Sequence, residues 1–238
     1  MLSAINQEKH KSTIPSLNSD QRRFCWIFKN LDFKQWIDCG HSQVLWLSGP
    51  SEYSLHEVSK YVLDLENERL NPPRGVLYFF CSTLAKEKSM ISVFIQTLLY
   101  QTISWSPMHK KISMMKIFLQ RQHEAMDKTK LPSLFKEDDP PYVKFKSMLD
   151  VASADGHWTA LKAVLDLDQE PELLIVIDGL DVVEHQKGDF LKGVREFVRY
   201  LRERKPRVKA LLTSRPREDI KQIFNGFPCI EYDRERKG

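Results

Sequence analysis

Residues 173–181 read LLIVIDGLD. Five consecutive aliphatic side chains leave no polar face, so the segment predicts a strand buried on both sides, as in a parallel sheet covered by helices. Asp178 stands at the carboxyl end of that strand, and Asp181 follows three residues later. Ligands of open α/β sheets sit outside the carboxyl ends of the strands, so a carboxylate there is placed to hold hydrated magnesium beside nucleotide phosphates. The plainer alternative is an Asp capping the next turn.

Outward from this strand the pattern repeats. VKALLTSRP at 208–216 is a second apolar strand, ending in Thr213, Ser214 and Arg215. A guanidinium at that edge suits phosphate, which it grips bidentately, or a nearby carboxylate. VLWL at 44–47 and VLYFFC at 76–81 predict two more strands, and a fifth runs from Cys229 to Tyr232. Between them apolar residues recur at helical spacing. Phe24, Ile27, Phe28, Leu31 and Trp36 mark a lead-in helix after Ser19 and Asp20, broken near Asn30 to Asp32. Ser54-Leu-His-Glu57 is a capping box opening a helix with the stripe Leu55, Val58, Tyr61, Val62 and Leu65. Further helices are expected at 91–99, 142–153, 157–167, 189–204 and from Arg217. Strand and helix in alternation imply parallel pairing.

The expected organisation is a flexible lead-in over 1–18, a helical lead-in over 19–43 and an α/β core over 44–238. Residues 107–141, a basic amphipathic stretch leading to FKEDDPP, read as an insertion in that core.

Composition limits the function classes. The chain has 238 residues, 42% apolar and 29% charged, ordinary for a globular protein with a substantial core. Its net charge is only +4. Nine Lys or Arg against two Glu fall between 195 and 217, but most map to the solvent face and last turn of one helix. Nucleic acid is therefore not the expected partner. The four cysteines form no C-x-x-C pair, HEAMD at 123–127 lacks the second His of a zinc protease, and no G-x-S-x-G elbow occurs. No segment is apolar enough to span a membrane, and the expected location is the cytoplasm.

Several of these motifs, in this order, resemble the NACHT domains of the STAND-class signal-transduction NTPases, especially those of fungal NOD-like receptors. FCWIFKNLDFKQWIDCGHSQVLWLSGP at 24–50 is similar to the family's approach to its phosphate loop. VLYFFCSTLAKEKSMISVFIQTLLYQTI resembles its second strand and following helix, IDGLD its Walker B motif, and LTSRP its sensor. The resemblance covers about residues 20–233. It implies a three-layer P-loop NTPase-like fold with five parallel strands in the order 5-1-4-3-2. It also implies that Asp178 matches the magnesium-water aspartate, Asp181 the second Walker B acid and Arg215 the sensor arginine.

The phosphate loop departs from the pattern. G-x-x-x-x-G-K-[ST] supplies backbone amides, a lysine and a magnesium-binding hydroxyl. Here Gly49-Pro-Ser-Glu-Tyr-Ser54-Leu55-His56 keeps only the first glycine. Ser54 replaces the second glycine, Leu55 the lysine and His56 the hydroxyl, while Pro50 removes an amide and Glu52 adds a repelling charge. Losing the lysine and hydroxyl contacts at about 1.5 to 3 kcal/mol each weakens binding by about two to four orders of magnitude. Val182 and Val183 also follow Asp181 where many relatives have a glutamate.

The expected function is thus a degenerate NACHT module, a pseudo-NTPase that signals or scaffolds through protein contacts, with itself or other NACHT-containing proteins. Gly49, Ser54, Leu55 and His56 would be its vestigial phosphate loop, and Asp178, Asp181 and Arg215 its vestigial catalytic set. No cofactor is expected. The alternative is an active STAND switch that binds and hydrolyses Mg-ATP or Mg-GTP, with the metal at Asp178. In the resembled family an effector domain often precedes this domain and a helical and winged-helix region and a repeat sensor follow it, so the chain is expected to be a fragment, a truncated gene product or a reduced protein.

Overall fold

The apolar runs that could present no polar face become the strands of one sheet. The computed structural model describes residues 7, 9, 11–14, 25–50, 55–68, 75–81, 90–105, 154–167, 172–183 and 187–231. Its strands are β1 (Gln43–Ser48), β2 (Gly75–Phe80), β3 (Glu172–Asp178), β4 (Arg207–Ser214) and β5 (Cys229–Glu231). All pair in parallel, in the order β2-β3-β4-β1-β5, which is 5-1-4-3-2 from the other edge. Leu45, Leu211, Val176 and Tyr78 lie side by side across four strands, as do Trp46, Leu212, Ile177 and Phe79 on the opposite face.

The helices among the described residues are α1 (Cys25–Lys29), α2 (Leu31–Asp38), α3 (Leu55–Glu68), α4 (Met90–Trp105), α5 (Ala154–Leu167), α6 (Lys187–Arg204) and α7 (Glu218–Phe224). The expected break after the lead-in helix falls at Asn30, whose Oδ1 accepts the Phe33 N–H at 3.0 Å and caps α2.

The chain divides into two units, residues 7–90 with 170–238, and residues 1–6 with 91–169. The first holds the whole sheet. On one face Ile27, Phe33, Trp36, Leu55, Val58 and Val62 from α1, α2 and α3 pack on Leu45, Tyr78, Val176 and Leu211. On the other, Phe190 of α6 meets Phe79 with ring centroids 6.3 Å apart, and Phe224 of α7 meets Trp46 at 6.4 Å. Helices on both faces account for strands with no polar side. In the second unit, Phe94 of α4 meets Trp158 of α5 edge-on at 6.2 Å, and Thr97 and Thr102 return their hydroxyls to the carbonyls four residues back.

The lead-in departs from expectation at its described residues. Gln7, Lys9 and Lys11 to Thr13 are helical, and Gln7 and Ile14 are buried. Gln7 closes two hydrogen bonds with the backbone of Phe80, and Ile14 joins the core beneath α3. The basic run from 195 to 217 is also not one surface. Lys205 and Lys209 are buried, Lys209 donates to the Ile37 carbonyl, and Arg207 pairs with Glu172 at 2.6 Å. Ser19, Asp20, Glu52, Ser54, Tyr232 and the expected insertion over 107–141 lie outside the described residues.

Candidate functional site

Parallel pairing brings the carboxyl ends of β1, β3 and β4 to one edge, with Ser48 beside Ser214. The ladder continues there, because Gly49 N–H donates to the Ser214 carbonyl at 3.1 Å and Cys81 N–H to the Asp178 carbonyl at 2.8 Å. Outside this edge lies a cavity of about 470 Å3, lined among others by Gly49, Leu55, His56, Asp178, Asp181 and Arg215. Every described residue of the set expected from the sequence therefore lines one cavity.

Their side chains are engaged with one another. Asp178, buried at the end of β3, accepts the Ser59 hydroxyl on Oδ1 at 2.7 Å and the Thr213 hydroxyl on the same oxygen at 2.7 Å. Thr213 in turn accepts the Gly179 N–H at 3.0 Å. Gly179 has φ of 75°, a left-handed conformation that a side chain resists, and it turns the chain into the short 3-10 helix Leu180–Val182. That turn delivers Asp181, only 5% exposed, to the cavity rim. Asp181 Oδ1 accepts the Arg215 N–H at 2.8 Å and Oδ2 accepts Arg215 Nε at 2.5 Å. Of the two readings of Arg215, phosphate sensing or a carboxylate partner, the second is the contact present.

The phosphate-loop positions behave differently from a phosphate cradle. Leu55, the first residue of α3, is buried in the core cluster and also forms cavity wall. His56 is exposed at the same wall. The helix hydroxyl that meets Asp178 comes from Ser59, three residues past His56 and thus about 4.5 Å further along α3. Ser59 is fully buried and faces the sheet. Counting formal charges among the described lining residues, Asp178 and Asp181 give −2 and Arg215 gives +1, so the lining carries −1. The Cys81 thiol, in the same wall, is pushed well above the ordinary thiol range, first by burial and then by the charges of Asp178 and Asp181. Among the described residues no group of three or more His, Cys, Asp or Glu could hold a metal ion, and no helix is long and apolar enough to cross a membrane.

Ser59, Cys81, Thr13 and Ile14 are the contributors that sequence reasoning missed. Ser59 did carry a signal. It sits on the stripe between Leu55, Val58 and Val62, and a polar side chain on a buried stripe requires a partner.

Two comparisons with known proteins bear on this site. Residues 23–138 match the family described as Nephrocystin 3, N-terminal. The chain is also 25% identical over 84 residues to the vegetative incompatibility protein HET-E-1 of Podospora anserina, covering 35% of this chain. The aligned stretch spans about 6% of that relative's length. The all-parallel five-stranded sheet, its strand order and these two similarities together describe a P-loop NTPase-like α/β domain, similar to the nephrocystin 3 N-terminal region and distantly similar to HET-E-1.

Proposed function

We propose that this domain is a degenerate NACHT-type module, a pseudo-NTPase that acts in signalling or scaffolding through protein contacts and has little or no affinity for nucleotide. The observation that carries the reading is the charge at the cavity. A triphosphate needs cations and free amides, whereas the described lining offers two carboxylates and one guanidinium already tied to Asp181. Leu55 stands where the lysine would stand, and its burial in the core ties it to stability rather than to phosphate. Asp178 already accepts two protein hydroxyls on Oδ1, which gives the buried carboxylate a structural role without a metal. These residues do not fit a magnesium nucleotide, and no hydrolytic step is derived through one.

What remains is a rigid sheet with an intact strand-end edge, suited to presenting surfaces to other proteins. The proposed role is signalling in the cytoplasm with partners that include proteins of its own kind, and the distant similarity to a protein named for vegetative incompatibility supports its signalling part alone.

A thermal shift assay tests the reading. At 1 mM Mg-ATP or Mg-GTP, a ligand with Kd near 1 μM would stabilise the fold by about 4 kcal/mol and raise Tm by about 8–16 °C. A ligand with Kd of 1 mM or weaker would add at most about 0.4 kcal/mol, roughly 1–2 °C. The small or absent shift is the expected result, and a rise of 8 °C or more overturns the proposal.

A further inference from the structure

Described residues of the polar amino-terminal stretch hold the fold at the β2 edge, in the core and at α3. β2 is an edge strand, and Phe80 turns its backbone away from β3 at the carboxyl end of that edge. Its N–H donates to Gln7 Oε1 at 2.6 Å and its carbonyl accepts Gln7 Nε2 at 3.1 Å. The glutamine amide thus supplies the donor and acceptor that a neighbouring strand would offer. One helical turn on, Lys11 Nζ lies 5.1 Å from the centre of the Tyr78 ring. Ile14 is 5% exposed within the core cluster, and its carbonyl accepts Lys60 Nζ of α3 at 2.6 Å. The segment therefore runs from the β2 edge to α3, and on the way Thr13 and Ile14 form part of the wall of the strand-end cavity.

The hydrogen bonds of Gln7 and of the Ile14 carbonyl run through side chains, and neither belongs to the β2–β3 ladder. A helix this short has no stability of its own in water, so the segment stays only as long as those contacts hold. Local opening of such a unit costs less than global unfolding.

We infer that the described amino-terminal residues, 7, 9 and 11–14, act as a strap in cis, latched by Gln7 on the β2 edge, which walls one side of the strand-end cavity and must unlatch for a ligand to enter on that side. The inference is independent of which ligand the cavity takes. It makes the amino-terminal segment the moving part and leaves the sheet fixed.

Cys81 is a native reporter, since the residue lines the same cavity and is only 7% exposed. On the full chain, the rate of Cys81 alkylation by iodoacetamide at fixed pH is followed by peptide mass spectrometry, with amide hydrogen exchange read in parallel. Removing both latch bonds with Gln7→Ala is expected to speed Cys81 labelling by about tenfold or more and to speed exchange at Phe80, while the central β3 and β4 amides keep their protection. Lys60→Met, which releases the other end at the Ile14 carbonyl, should change both in the same direction and decides the matter if Gln7→Ala does not fold. Cys81 labelling within twofold of the parent overturns the strap. So does loss of protection throughout β3 and β4 in step with Phe80, because the segment would then be part of the cooperative core.

Discussion

Replacing Asp178 by Asn tests what the buried carboxylate at the end of β3 is for. Asn is nearly isosteric, and its carbonyl oxygen can still accept both hydroxyls, but it accepts them as a neutral group. Hydrogen bonds to charged groups contribute about 1.5–3 kcal/mol against about 0.5–1.5 for neutral pairs, so two bonds weaken by about 2 kcal/mol together. Relief from burying a charge offsets part of this, which leaves a net loss of about 1–2 kcal/mol. For a domain of this size that lowers Tm by about 2–8 °C. Ser59→Ala should cost a similar amount, since Ser59 Oγ lies 2.7 Å from Asp178 Oδ1 and is fully buried. The two substitutions share one bond and should not be additive, with a coupling of about 0.5–2 kcal/mol in a double-mutant cycle read by urea denaturation. Neither should change nucleotide turnover, because none is expected. Additive effects within about 0.3 kcal/mol would refute the network. A basal hydrolysis rate abolished by Asp178→Asn would refute the structural role assigned to the carboxylate.

Three further outcomes follow from the same edge of the sheet. Arg215→Ala leaves the buried Asp181 carboxylate with its backbone donor but without its 2.5 Å guanidinium partner, and because Arg215 is 56% exposed the loss should stay near 1 kcal/mol, a fall in Tm of about 2–4 °C by calorimetry. Gly179→Ala meets only ordinary contacts, the nearest being Val182 Cγ2 at 3.5 Å, so its cost is the left-handed backbone alone, about 1–2 kcal/mol by chemical denaturation. For Cys81, whose thiol is raised in the fold by burial and by Asp178 and Asp181, the unfolded chain releases its proton first as pH rises. The stability tied to this thiol is full below the ordinary thiol pKa of about 8.5 and falls above it by up to about 1.4 kcal/mol per pH unit until the folded group also ionises. Cys81→Ala should remove that part of the alkaline decline in Tm.

Much of this architecture is legible in the sequence. The aliphatic run of LLIVIDGLD has no polar face and VKALLTSRP is apolar through most of its length, so both read as strands covered on both sides, and the structure pairs them as β3 and β4 in parallel. Asn30 is the one capping residue between two apolar stretches, and the lead-in breaks there. The strand order was available from the resemblance alone, since periodicity says nothing about which strands are neighbours. The lead-in was not legible. Its anchors are one amide, Gln7, and one isolated apolar residue, Ile14, and neither creates a period; their burial is decided by the β2 edge and the floor of α3, far away in sequence. Ser59 lies outside the phosphate-loop pattern, because the helix hydroxyl that reaches Asp178 sits nearly one turn past positions 49–56.

The central claim is that the strand-end site has lost its triphosphate chemistry, and isothermal titration of the chain with Mg-ATP and Mg-GTP addresses it directly. It is best run beside a variant carrying Glu52→Gly, Ser54→Gly, Leu55→Lys and His56→Thr. The parent should give no binding tighter than about 1 mM, and the variant, if it folds, should bind measurably tighter. Micromolar affinity in the parent would contradict the account.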